Sequence, residues 1–251
     1  MQKINLSLGS SLPCLGPLQA AFIAQSGISD PVFGEIITDH IQVCPQNFSE
    51  GAITEESLDK LQSVIPATKI RLHANVRILA KTCQYDAGTV DLFPEYTKRL
   101  ISLLKHLGNP YTLHAANNGM PLEKQFEAVI SLADSTGVPV GIEGLYPVKH
   151  SENTLKVWDD YAMLLKSDCF YAIDLSHLNI IRHKFSDAPN GLLEDLLKNE
   201  RCLEVHVSGN DGKKDSHLQC DGTEWWLPLL ESISDRAVIF YEGRIPKEQY
   251  Q

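Results

Sequence analysis

The sequence predicts an α/β fold, a single (β/α)8 TIM-like barrel spanning 1–251 and lacking its eighth helix. Three observations predict it. Eight short apolar runs are separated by stretches of helical period, the alternation continues almost to the end, and no linker, charge block or low-complexity segment interrupts it. The length of 251 residues is the usual size of one such barrel. With 43% hydrophobic residues the chain can bury a sizeable core, which excludes a disordered or disulfide-stapled protein.

The strands are expected near Ile4–Leu8, Glu35–Thr38, Lys69–His73, Tyr111–His114, Pro139–Glu143, Phe170–Asp174, Leu203–His206 and Val238–Glu242. Helices are expected near 17–26, 54–64, 92–107, 121–136, 153–166, 190–199 and 224–233. The segment 92–107 shows the logic: Leu92, Tyr96, Leu100, Leu103, Leu104 and Leu107 share a stripe, while Lys98, Arg99, Lys105 and His106 fall mostly off it. Gly108 and Gly137 are stop signals, each followed by a strand. Nine residues follow Glu242, too few for an eighth helix, so the barrel either stays open on that side or is covered by a second subunit of a homo-oligomer.

A net charge of −10 argues against an extended nucleic-acid or anionic-membrane surface and for a small or local substrate. No stretch approaches the ~18 apolar residues of a membrane span and the amino terminus shows no secretion signal, so a cytoplasmic protein is expected. The six cysteines (Cys14, Cys44, Cys83, Cys169, Cys202, Cys220) form no Cys-x-x-Cys pair and read as reduced packing residues.

The chemistry lies where the strands end. Six of them terminate in His73, His114, Glu143, Asp174, His206 and Glu242, although His, Asp and Glu together fill only about one position in six. A parallel barrel points every strand's carboxyl end to one face, so these side chains converge on one mouth. Imidazoles and carboxylates gathered there need a cation to compensate them, and a divalent metal does so through N and O ligands. His177, three residues after Asp174, and the Asp215-Ser-His217 triplet extend the set to nine. Nine ligands exceed the needs of one ion and suit two or three, with Glu143 able to bridge. The absence of cysteine from the set leaves zinc, manganese or iron.

The other polar candidates have ordinary readings. His40, His106, His150 and His183 read as surface or capping residues, and Lys213-Lys214 as a solvated turn. Trp225 and Trp226, at an expected helix start, read as core. Tyr146, Arg182 and Arg244 sit just past strand ends, where they serve either a substrate or a salt bridge.

With these residues in view, the chain resembles the xylose isomerase-like TIM-barrel superfamily, which includes endonuclease IV (AP endonuclease family 2) and the sugar isomerases and epimerases. The most specific matches are Tyr-Ala-Ile-Asp174-Leu-Ser-His177 and Val-His206-Val-Ser-Gly-Asn-Asp-Gly-Lys-Lys-Asp215-Ser-His217, with Glu143 and Glu242 matching the two shared strand-end glutamates. The endonuclease IV resemblance implies three ions: His73, His114 and Glu143 on one; Glu143, Asp174, His206 and Glu242 on a second; His177, Asp215 and His217 on a third. Single-metal epimerases use mainly the positions matching Glu143, Asp174, His206 and Glu242. Leu-Gln-Cys-Asp-Gly after His217 and Gly-Leu-Tyr-Pro after Glu143 depart from the DNA-repair members. The Asp-Ser-His…Trp-Trp-Leu and Tyr-Glu-Gly-Arg-Ile-Pro stretches also resemble the multinuclear non-heme iron-dependent oxidative family acting on peptides, where Asn commonly replaces His177.

The expectation is a multinuclear metal-dependent hydrolase of a phosphoester, because the epimerase reading leaves His73, His114, Asp215 and His217 underused. The alternatives are a single-metal sugar isomerase or epimerase, in which Glu143 and Glu242 exchange a proton beside a carbonyl, and an iron-dependent oxidative enzyme acting on a peptide.

Overall fold

In the computed structural model, which describes residues 3–13, 15–47, 52–79, 81, 83–149 and 151–250, the strand and helix alternation is realised as a parallel β ring with helices outside. Cys14 and His150 lie outside the described residues. The elements run β1 (Ile4–Ser7), α1 (Leu8–Ser11), α2 (Pro17–Gln25), β2 (Ile28–Asp30), β3 (Gly34–Val43), α3 (Glu55–Val64), β4 (Lys69–Leu72), α4 (Pro94–Leu107) and β5 (Tyr111–His114). They continue with α5 (Leu122–Thr136), β6 (Val140–Glu143), α6 (Trp158–Lys166), β7 (Phe170–Asp174), α7 (Leu175–Phe185), α8 (Leu192–Lys198), β8 (Cys202–Val207) and β9 (Val238–Tyr241).

Parallel pairing passes from β4 through β3, β1, β9, β8, β7 and β6 to β5. Between β4 and β5 the contact narrows to one parallel bridge, His73 with Thr112, beside which the Ala74 amide donates to the Thr112 carbonyl at 2.8 Å. After β9 the only helical element among the described residues is a 3₁₀ turn, Lys247–Gln249. No helix among the described residues is long and apolar enough to cross a membrane.

Local chemistry sets the helix boundaries. Thr54 and Ser57 cap α3 reciprocally, Gly108 and Gly137 end α4 and α5 in the left-handed conformation (φ 65° and 71°), and Pro94 opens α4. Because α4 starts at that proline, Leu92 falls in a preceding 3₁₀ turn and is 67% exposed, contrary to its place on the expected stripe. The helix expected over 153–166 starts only at Trp158, because Asp160 Oδ2 takes the amides of Lys156 and Val157. The one expected over 224–233 is a 3₁₀ turn, Leu227–Ser232, with Leu229 N donating to Trp226 O at 2.8 Å. The sequence reading missed α7, whose basic last turn (Arg182, His183, Lys184) complements its dipole. It also missed β2, which pairs antiparallel with β3.

The second strand is ten residues long, not the four expected over Glu35–Thr38, and this moves its end to Val43 and Cys44. Side chains alternate across each strand, so residues two apart share a face. Ile41, Val43, Ile70, Leu72, Tyr111, Leu113, Val205 and Val207 belong to the buried apolar core. The intervening positions form two polar tiers inside the ring. Gln42, Arg71, Thr112 and Glu204 are buried in the lower one, and Ser7, Cys44, His73, His114, Glu143, Asp174, His206 and Glu242 end the eight strands in the upper one.

Candidate metal centre

The upper tier is a connected cluster. Glu143 Oε2 lies 3.4 Å from His73 Nε2 and 3.3 Å from His206 Nδ1, while Glu143 Oε1 lies 3.7 Å from His177 Nδ1. His177 Nε2 is 3.4 Å from Asp174 Oδ2 and 3.5 Å from Asp215 Oδ2, which is 2.9 Å from His217 Nε2. Glu242 closes the circuit, 3.9 Å from His206 Nδ1 and 3.7 Å from His217 Nδ1. His114 stands at the edge, its ring 5.3 Å from that of His73. All nine residues singled out from the sequence are therefore at one mouth.

Each is held by its element. Asp174 caps α7, its Oδ1 accepting from the amides of Ser176 (2.7 Å) and His177 (3.1 Å), so Oδ2 is the oxygen turned to the cluster. The same cap sets His177 in the first turn of α7, and Gly144 O, 2.9 Å from Nδ1, fixes the ring. His217 reaches the mouth from a loop position with φ 45°, a strained conformation for a non-glycine residue. Ser7 and Ser10 hydroxyls donate to Glu242 Oε1, both at 3.3 Å.

The electrostatics are those of a buried cluster of carboxylates and imidazoles that act strongly on one another. Burial pushes the Glu143 carboxyl up, but the His206 and His73 imidazoles outweigh it and hold it well below the usual range. Glu242 goes the other way, to about 7, because burial dominates and the repulsion of Asp174 and Glu143 adds to it, against the pull of His206 and His217. Burial holds His73 down to about 3 and also lowers His114. His206 and His177 are raised despite burial, the former by Glu143 and Glu242, the latter by Asp174 and Asp215.

Three buried atoms pointing into this space, Glu143 Oε2, His206 Nδ1 and His217 Nδ1, have no hydrogen-bond partner. Their geometry and donor type fit a divalent ion. Three triads bring one ligand atom each within 4.8 Å of one another: His73, Glu143 and His206; Glu143, Asp174 and His177; Asp174, His206 and Glu242.

Sequence reasoning missed the neighbours of this set. Cys44 stands at the same level, its Sγ 3.2 Å from Ser7 Oγ, and burial pushes its thiol up to about 12. The lower tier was equally overlooked: Glu204 receives Arg71 Nη1 on Oε1 at 3.0 Å, and Gln42 Nε2 (3.0 Å) and Thr112 Oγ1 (2.8 Å) on Oε2. The signal was a charged or polar residue two positions before a strand-end histidine, as in Arg71-Leu-His73, Thr112-Leu-His114 and Glu204-Val-His206.

Other expectations resolve locally. Tyr146 lies against His177 with ring centroids 5.0 Å apart and the planes tilted by 55°, and Arg182 binds Asp187 and lies over Trp225 at 5.2 Å. Trp226 is core, stacked on Phe33, whereas Trp225 is only partly buried. His106 pairs with Asp59 at 2.7 Å. A cavity of about 170 Å³ beside His114 is lined by Asn75, Gln84, Asp86, Asn117 and Leu145.

The fold is that of the xylose isomerase-like TIM barrels. Solved structures similar to it include a xylose isomerase domain containing protein from Salmonella typhimurium LT2, with a TM-score of 0.64 and 14% identity over 99% of this chain and 90% of that one. A D-tagatose 3-epimerase-like protein matches with a TM-score of 0.61 and 15% identity over 84% of each chain. A sugar phosphate isomerase/epimerase from Parabacteroides distasonis matches with a TM-score of 0.59 and 12% identity over 98% and 89%. No protein-family model and no curated protein matches the sequence.

Proposed function

We propose that this protein is a metal-dependent sugar isomerase or epimerase, moving a proton at a carbon next to the carbonyl of a small hydroxylated substrate. This replaces the phosphoester hydrolase expected from ligand count as the leading reading. The observation that carries it is the convergence of Glu143, Asp174, His206 and Glu242, the four positions that the resemblance links to single-metal epimerases. Fold neighbours described as sugar epimerases support it.

These four side chains would hold the ion, which when bound polarises the substrate carbonyl. The remaining work belongs to the chain. Glu143 would serve as base, and Glu242 as the partner that returns a proton to the carbon. Both carboxyls are largely buried, at 1% and 4% exposure, so their charges act in a low-dielectric site where electrostatic effects on the substrate are strong. The amides and carboxylate of Asn75, Gln84, Asp86 and Asn117 line a recess suited to hydroxyl groups.

The test is solvent-proton exchange. Ketoses, aldoses and their phosphates are incubated with protein in deuterated buffer containing Mn²⁺, Mg²⁺, Co²⁺ or Zn²⁺, and deuterium at the carbon beside the carbonyl is followed by NMR. Exchange that disappears in Glu143→Gln supports the reading. No exchange with any sugar under any ion overturns it.

A second reading, a multinuclear phosphoester hydrolase, is favoured by the meeting of His177, Asp215 and His217 beside Asp174, more ligands than one ion needs. Elemental mass spectrometry separates the two. One ion per chain, retained in His177→Ala, supports the epimerase; two or three zinc or manganese ions support hydrolysis. Two or three irons, with turnover that requires dioxygen, would support the peptide-oxidising alternative.

A further inference from the structure

The lower tier of the barrel contains a buried acid that the proposed reaction does not use. Glu204 is fully buried, two residues below His206 on β8, and its two oxygens face different partners. Oε1 accepts from Arg71 Nη1, whose guanidinium also donates to the Leu203 carbonyl at 3.2 Å. Oε2 lies 2.8 Å from Thr112 Oγ1, 3.0 Å from Gln42 Nε2 and 3.2 Å from His206 Nε2.

Proton accounting follows from these contacts. The Thr112 hydroxyl has one proton, and its best acceptor is the carboxylate oxygen at 2.8 Å. Its lone pair is then left for His73 Nδ1, 2.9 Å away, which must carry the proton of that bond. The Nε2 of His73, facing Glu143 at 3.4 Å, is thereby the bare nitrogen. His206 Nε2 lies 3.2 Å from the same Glu204 oxygen, and a proton placed on it would leave Nδ1, the nitrogen with no hydrogen-bond partner, free toward Glu143 and Glu242.

We infer that Glu204 is a positioning residue: through Oε2 it fixes the tautomers of His206 directly and of His73 through Thr112, so that both rings present a lone pair to the cluster. The inference rests on the metal-centre reading. A carboxylate behind a ligating imidazole raises its basicity and fixes its orientation, and losing such a partner typically costs about 10–100-fold in metal affinity. The competing arrangement has Gln42 Nε2, 3.0 Å from His206 Nε2, donating to that ring, which would turn a proton toward Glu143.

The experiment titrates Zn²⁺ against a chromogenic chelator in wild type, Glu204→Gln, Thr112→Val and Glu143→Gln, and records imidazole ¹⁵N spectra of the Zn²⁺-loaded proteins. Wild type is expected to show His206 protonated at Nε2 and His73 at Nδ1. Glu204→Gln should bind Zn²⁺ about 10–100-fold more weakly with a changed His206 spectrum. Thr112→Val, nearly isosteric, should disturb His73 alone, and keeps the question answerable if Glu204→Gln does not fold. Wild-type affinity and unaltered ring spectra in Glu204→Gln or Thr112→Val, alongside weakened binding in Glu143→Gln, would overturn the positioning role and leave the metal centre standing. Undiminished binding in Glu143→Gln would instead remove the metal reading on which the inference rests.

Discussion

Removing the Arg71 charge isolates the electrostatics of the lower tier. Arg71 is 5% exposed and Glu204 fully buried, and they meet at 3.0 Å. Breaking a buried pair from one side typically costs about 3–5 kcal/mol, because the remaining charge loses its counterion. Here Glu204 retains Gln42, Thr112 and His206 around Oε2, which places Arg71→Met near the lower end, at about 3 kcal/mol. For a chain of this length each kcal/mol moves Tm by about 2–4 °C, so the expected fall is roughly 6–12 °C. The double variant Arg71→Met/Glu204→Gln leaves neither charge behind and should be more stable than the sum of its parts by about 0.5–3 kcal/mol. The assay is thermal and urea unfolding of the four proteins in a double-mutant cycle. A single variant within about 1 kcal/mol of wild type, or strict additivity, would refute the account.

Asp174 divides its oxygens between a helix cap and the cluster, so Asp174→Asn should keep most of the stability while weakening ion binding. Asp174→Ala should lose ion binding and about 1 kcal/mol as well, read by unfolding and metal titration. Glu143→Gln and Glu242→Gln are each expected to lower sugar turnover by about 10²–10⁴-fold, measured by the deuterium assay; full activity in either would remove it from proton transfer. His40 sits at about 4 in the fold, lowered by burial and then by Arg71 and Lys69, against about 6.5 unfolded. The unfolded chain therefore binds the extra proton between these values, and the His40 contribution is complete above pH 6.5 and lost as pH falls toward 4. Urea unfolding across this window should show a shallower pH dependence in His40→Gln than in wild type.

Much of this structure was legible because period-2 and period-3.6 patterns are local. Tyr111–His114 and Phe170–Asp174 have the bounds read from the sequence, and α3, α4 and α5 agree to within two residues. The long β3 was not, since its outer half pairs antiparallel with β2 and its Gly-Glu-Ile-Ile-Thr-Asp-His-Ile-Gln-Val composition mixes exposed and buried positions. Truncating it hid Cys44 and Gln42. Helix α7 was concealed by its polar start, because Asp174, Ser176, His177 and Asn179 make its first turns too polar to read as a buried helix. The mouth could be read from strand ends alone, whereas the lower tier needed the register that sets Gln42 beside Arg71 and brings Thr112 to Glu204.

The single bridge between β4 and β5 gives the ring a preferred place to open. Every other joint registers three or four residue pairs, whereas this one registers His73 with Thr112 alone. Local unfolding follows the least-bonded boundary, so the amide of Ala74 should exchange with solvent sooner than those inside the other joints. His73 stands on one lip of this gap, while Glu143 and His206 stand across it on the far arc of strands. A divalent ion shared by these side chains would act as a clasp on a split ring, so that loading the mouth would also close the scaffold that forms it.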